Sequence, residues 1–130
     1  MIVNTSDGLL LVHRRAETKD LWPGRWDIGA GGVVAAGEDP ADAAARELGE
    51  ELGVTGVELT PVLVGEYADA DIDVIGHVWR AVTDGPFTMD DGEVVEIRCV
   101  DRPTMERMLE TEAWVPDAIT MLSLDVLFPG

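Results

Sequence analysis

The chain has 130 residues, 46% of them hydrophobic, enough for one small domain that buries a core without disulfide or metal staples. Twenty-six acidic side chains against nine basic ones leave a net charge of −17, a field that repels nucleic-acid polymers and anionic membranes and excludes functions built on phosphate-backbone contacts. The single cysteine, Cys99, excludes an internal disulfide; with no basic-then-apolar leader and no apolar run long enough to cross a bilayer, a cytoplasmic protein is predicted.

Residues 1–3 read as the remnant of a strand, residues 4–8 as a turn and residues 9–13 as an apolar strand. The first arm of this hairpin is short, as it is when a chain begins inside a longer native strand. Such an edge is open to pairing with another copy, so both a monomer and a homodimer fit. Residues 14–25 form a basic loop: Arg14, Arg15, Lys19 and Arg25 supply four of the nine bases, and Trp22-Pro23-Gly24 is a turn signal. Residues 26–34 are an extended run in which Gly29, Gly31 and Gly32 let other groups approach the backbone.

A well-signalled helix follows. Asp39 is the expected N-cap, Pro40 takes the first helical position, Asp42 lies in the first turn, and Gly53 terminates the helix. Ala41, Ala44, Ala45, Leu48 and Leu52 make an apolar stripe, with Glu47, Glu50 and Glu51 together on a roughly opposite face. As surface decoration this face is badly written. Like charges at that spacing cost about 0.2–0.5 kcal/mol per pair, they lie at the negative end of the helix dipole, and Gly49 costs about 1 kcal/mol more. Several broken local rules in one place mark a functional site. Clustered carboxylates that lack a cation suit a hard one, Mg²⁺ or Mn²⁺.

Beyond the helix, residues 57–66 and 72–82 read as two strands joined by an acidic turn at 69–71, and Asp84-Gly85-Pro86 breaks the second. Residues 93–100 are a further strand. Pro103 opens a short helix to about Glu110, and Pro116 opens a last helix carrying Ile119, Leu122, Leu124, Leu127 and Phe128. No repeat or linker interrupts this order, which predicts a single domain over residues 1–130, an α/β sandwich around a mixed β-sheet.

From Gly32 the spacing is five residues to Glu38, seven more, and then Arg46-Glu47-Leu48-Gly49-Glu50-Glu51-Leu52-Gly53-Val54. This stretch resembles the Nudix box, with every defined position filled. Trp22-Pro23-Gly24-Arg25-Trp26 before it, and Glu93-Val94-Val95-Glu96 with the Pro103 helix after it, extend the likeness over essentially the whole chain. The resemblance implies a Nudix-type α/β/α sandwich. It also implies metal-dependent hydrolysis of a diphosphate linkage, an acid anhydride, in a nucleoside diphosphate joined to another moiety, with water attacking phosphorus. By position, Glu47, Glu50 and Glu51 would be catalytic carboxylates that hold Mg²⁺ or Mn²⁺, the Gly32 carbonyl would be a further ligand, and Arg46 would orient a glutamate. Glu93 is the expected additional carboxylate.

Arg14, Arg15 and Arg25 are the expected substrate-binding bases, since a strongly acidic protein meets a small diphosphate only through metals and local positive charge. Glu38 is expected to brace its loop onto the helix, and Glu93 and Glu96 also fit a plain outward strand face. Cys99 is expected to be buried in its strand, His13 and His77 to be packed polar residues, and Trp22 and Trp26 to belong to the core.

Two other functions share part of this pattern. The run from Leu9 through Trp26 also resembles isopentenyl-diphosphate isomerase, but the positions of that enzyme's cysteine acid/base and histidine ligand are Gly31 and Val33 here, and its later glutamates fall near Ile72 and Val74. A nucleotide-binding module that does not cleave its ligand has no need of the full glutamate set this chain keeps.

Overall fold

Alternation in the first strands sets the layers. The computed structural model describes residues 1–31, 34, 36–70, 73–89 and 92–129. Within them lie β1 (Ile2–Asn4), β2 (Leu10–Arg15), β3 (Trp26–Ile28), α1 (Pro40–Leu52), β4 (Thr60–Ala68), β5 (Asp73–Val82), β6 (Val94–Val100), α2 (Arg102–Thr111), α3 (Pro116–Met121) and α4 (Leu124–Leu127). Successive strand residues point to opposite faces. Ile2, Leu10, Val12, Trp26 and Ile28 therefore face one core with Met105 and Met108 of α2 and Leu127 of α4. Val3 and Leu11 face a second core with Leu48 and Leu52 of α1. Helices on both faces of one sheet make the expected α/β/α sandwich.

The sheet is mixed: β1 runs parallel to β5 and antiparallel to β2. β6 pairs β2 from Leu10 to Arg15, so β1 and β3 share the opposite side of β2, end to end. The order β3-β2-β1-β5-β4 puts β1 inside the sheet, between β2 and β5. The short first strand is thus not the open edge expected of it. Among the described residues β5 pairs on its β1 side only at Arg80, Ala81 and Val82; the part of β5 before them borders a cavity instead.

Several element boundaries differ from expectation: β2 runs on through Arg15 and takes in the first two residues of the expected basic loop, and β4 spans Thr60–Ala68 rather than 57–66. The extended run after Trp26 is a strand for three residues only, because Gly29 turns the chain with φ +60. The helix at Pro103 begins at Arg102, capped by the Asp101 side chain on Thr104 N at 2.9 Å. The last helix is two, because Ser123 is extended and its hydroxyl accepts from Val126 N, starting α4 afresh.

Candidate active site

α1 is fixed at both ends. The Asp39 carboxylate accepts from the N–H of Ala41 at 2.8 Å and of Asp42 at 3.4 Å, as an N-cap does. At the other end Gly53 is left-handed (φ 70), its N–H returning to Gly49 O and the Val54 N–H to Leu48 O. Thr88 N donates to Leu52 O at 2.9 Å, and a Cβ on Gly53 would run into the Thr88 hydroxyl.

The buried side of this helix keeps Leu48 and Leu52 of the expected stripe but not its alanines. Ala43, Leu48, Glu51 and Leu52 are buried, Ala41 is half-buried and Ala45 is exposed. The three glutamates fan out instead of sharing one exposed face. Glu51, 7% exposed, points inward. Glu47 sits at the margin and Glu50 turns to solvent, with side chains 15% and 55% exposed.

Arg46 holds this row together. Its Nε and Nη2 donate to the two Glu38 oxygens at 2.9 and 3.0 Å, a bidentate fork, while Nη1 reaches Glu47 at 2.8 Å and Glu50 at 3.3 Å. Glu38 raises the guanidinium above its ordinary range, helped by Glu47. Glu38 thus braces the loop ahead of the helix through Arg46. Burial pushes the Glu47 carboxyl above the usual carboxylate range; Arg46 pulls it down, and the charges of Glu50 and Glu93 push it up again. Glu51 accepts the Gly31 N–H at 3.3 Å.

A cavity of about 780 Å³ opens beside α1. Glu47, Glu51 and Glu93 line it, as do the cations Arg15 and Lys19. Lys19 Nζ lies 3.2 Å from Glu93. Arg15 alone of the three expected arginines reaches this wall. Arg14 faces the other side of the sheet and pairs with Glu96 at 3.6 Å, and Arg25 donates to Trp114 O at 3.3 Å. Glu50 does not line the cavity, and Gly32 lies outside the described residues. Carboxylate oxygens in surplus, with Glu47 still repelled by Glu50 and Glu93, are the donor chemistry a hard divalent cation fits. Among the described residues no three such groups converge on one point, and Arg46 now occupies Glu47 and Glu50.

Lys19, Asp27 and Asp117 were not among the expected site residues, yet all three line the cavity. Strand alternation marks Asp27, which must face away from its core neighbours Trp26 and Ile28. No local signal marks Asp117, which α3 carries in from the far end of the chain. Burial, then the charge of Asp27, raises its carboxyl above the aspartate range.

His13 is packed as expected, its Nδ1 on Gly29 O at 2.5 Å, but His77 is exposed and borders the cavity. Cys99 is exposed rather than buried: among the described residues its strand β6 pairs with β2 alone and lies at the outside of the sheet. Trp26 is core, stacked obliquely on Trp114 at 6.4 Å, whereas Trp22 is half-buried at the cavity rim. At the position of the isomerase acid, Gly31 has no side chain; Val33 and Ile72 lie outside the described residues.

Residues 1–122 match the family model of the NUDIX domain. An uncharacterized Nudix hydrolase of Salmonella typhi, YfcD, is 37% identical over 124 residues, covering 95% of this chain and 66% of the relative. The chain thus spans about two-thirds of that relative's length. The crystal structure of DR0079 from Deinococcus radiodurans superposes with a TM-score of 0.77 at 22% identity, over 92% of this chain and 76% of that one. The Nudix domain of Shewanella oneidensis NrtR, solved with ADP ribose, gives a TM-score of 0.72 at 13% identity, over 95% and 80%. Those likenesses speak for the fold, and the family rests on the domain match together with the YfcD identity: this chain belongs to the Nudix hydrolase family.

Proposed function

We propose that the protein hydrolyses a diphosphate linkage in a nucleoside diphosphate joined to another moiety, using Mg²⁺ or Mn²⁺. The observation that carries this reading is that Glu47, Glu51 and Glu93 line the same cavity as Arg15 and Lys19. The negative charge of a diphosphate repels the electron-rich attacking oxygen, and in-line displacement at phosphorus asks a protein mainly for positioning and charge. Arg15 and Lys19 would take the phosphate oxygens, which net charge alone would turn away. Glu47 and Glu51 would hold the cation, with Gly32 and Glu50 as the further ligands expected from the box and Glu93 as the additional carboxylate. Arg46 keeps Glu47 at a set angle by anchoring on Glu38. When bound, the cation lowers the pKa of water and neutralises charge that develops on the phosphate.

Among the described residues no helix is long and apolar enough to cross a membrane, which suits a small-molecule substrate met in the cytoplasm by a monomer or homodimer. The test is a panel of nucleoside triphosphates, nucleotide sugars, dinucleotides, CoA and ADP-ribose, each titrated with Mg²⁺ and Mn²⁺. Metal-dependent release of phosphate, pyrophosphate or a nucleoside monophosphate is the expected result. Binding without metal-dependent turnover across the panel would replace this reading with a nucleotide-binding module.

A further inference from the structure

His13 is 3% exposed, in β2, on the sheet face that carries α1. Its neighbour across the strands is Asp27 of β3. Its Nδ1 meets the carbonyl of Gly29 at 2.5 Å; a carbonyl only accepts, so the ring donates from Nδ1. Burial pushes the imidazole below its ordinary range despite the pull of Asp27, so the neutral ring is the favoured form.

What His13 grips is the turn by which the chain leaves β3. Gly29 N donates to Leu11 O at 2.9 Å, and Ala30 N to Met1 O at 3.2 Å. Gly29 has φ +60, and a Cβ there would collide with the Met1 carbonyl oxygen, so the turn accepts no other residue without shifting. Two residues on, the Gly31 N–H meets the Glu51 carboxylate at 3.3 Å, near the outer limit of a hydrogen bond. A contact that long is sensitive to the tilt of the peptides leading into it, and the first of those peptides carries the carbonyl that His13 holds.

We propose that His13 is a positioning residue for Glu51: by pinning the Gly29 carbonyl it fixes the turn that aims the Gly31 N–H at that carboxylate. His13 lines no part of the cavity and so acts through Gly31. The consequence for metal affinity rests on the reading of Glu51 as a carboxylate that holds the cation; the consequence for Gly31 does not.

The test compares His13→Leu with His13→Asn, whose side-chain amide places a donor near the position of Nδ1. Two quantities are measured in the metal-free full chain: amide exchange at Gly31 by ¹⁵N NMR, and Mn²⁺ affinity by calorimetry. His13→Leu is expected to speed Gly31 exchange roughly tenfold and to weaken Mn²⁺ about tenfold or more, the scale seen when a group that orients a ligand is lost. His13→Asn is expected to bring both back to within about threefold of wild type, even if its melting temperature is lowered as much as that of the Leu variant. Equal losses in the two variants, as simple packing predicts, would overturn the proposal, and so would an unchanged Gly31 in His13→Leu. Wild-type protein that binds no Mn²⁺ would sink the metal reading of Glu51 instead, and Gly31 exchange would then decide the positioning role alone.

Discussion

Glu51→Gln separates charge from shape at the buried carboxylate of α1. Glutamine fills the same volume, and its amide oxygen can still accept the Gly31 N–H that Glu51 accepts at 3.3 Å. At 7% exposure the carboxylate is largely stripped of water, a cost the neutral amide does not carry. The melting temperature of the metal-free variant is therefore expected to stay level or rise. Turnover is expected to fall steeply. On the proposed function the substitution removes an anionic ligand of the divalent cation, and with it about 3–4 kcal/mol of charge stabilisation at the reacting phosphorus. At about 1.36 kcal/mol per decade this is roughly 100- to 1,000-fold in kcat. The assay is metal-titrated turnover of the best substrate from the panel, with a thermal melt on the same preparation. A folded Glu51→Gln protein that keeps kcat within about threefold of wild type at saturating Mn²⁺ would refute the assignment.

Lys19 offers a test of the other pole of the cavity. Lys19→Ala is expected to raise KM about tenfold while kcat stays within about threefold, because a charge that meets the phosphates before and during reaction contributes mainly uniform binding; the salt dependence of KM should shrink with it, and kinetics at two ionic strengths check both. Asp117→Asn reads the raised carboxyl. Burial and Asp27 make the folded state hold the Asp117 proton more tightly than the unfolded chain does, so wild-type stability falls as pH rises from the ordinary aspartate range through the raised value. The neutral amide of the variant escapes that loss and can still accept the Ala118 N–H that Asp117 accepts at 2.8 Å. Denaturant melts should show the variant more stable at about pH 8 and level with wild type as pH falls into the aspartate range; a variant no more stable at the higher pH would show that Asp117 is not under strain.

Local chemistry made α1 legible from the chain alone. A cap at Asp39, a proline at the first helical position and a left-handed Gly53 are short-range signals, and all three stand in the fold. The sandwich followed from the order of strand and helix patterns, and the glutamate row from rules it breaks. What stayed hidden depends on which neighbour covers a surface. Helical spacing puts Glu51 with Glu47 and Glu50, but the inner rim of α1 turns it under while leaving Ala45 in water. Cys99 and His77 have interior strand patterns, yet one lies on an outer strand and the other on a stretch of β5 with no strand beyond it on that side among the described residues. Arg14 and Arg15 read as part of a basic loop, but they end β2, and the pleat sends one to each face of the sheet. Asp27 and Asp117 meet because β3 and the segment entering α3 lie side by side, joined through Trp26 and Val115 at 2.8 Å. No property of either residue announces that distance.

The hydrogen bond from Thr88 to the end of α1 has a consequence for how this protein tolerates change. A helix can keep its length and its core yet slide along its own axis, and a shift of one residue moves every side chain by about 1.5 Å. Cation coordination tolerates only about 0.2 Å. The Asp39 cap and the Leu52–Thr88 bond act as two end stops against that sliding. Residues 83–87, which connect β5 to Thr88, therefore set the axial register of the carboxylates from outside the cavity. Lengthening that connection by one residue would leave a folded sandwich whose glutamates stand at the wrong height, and the defect would appear as weak cation binding in a protein that melts normally.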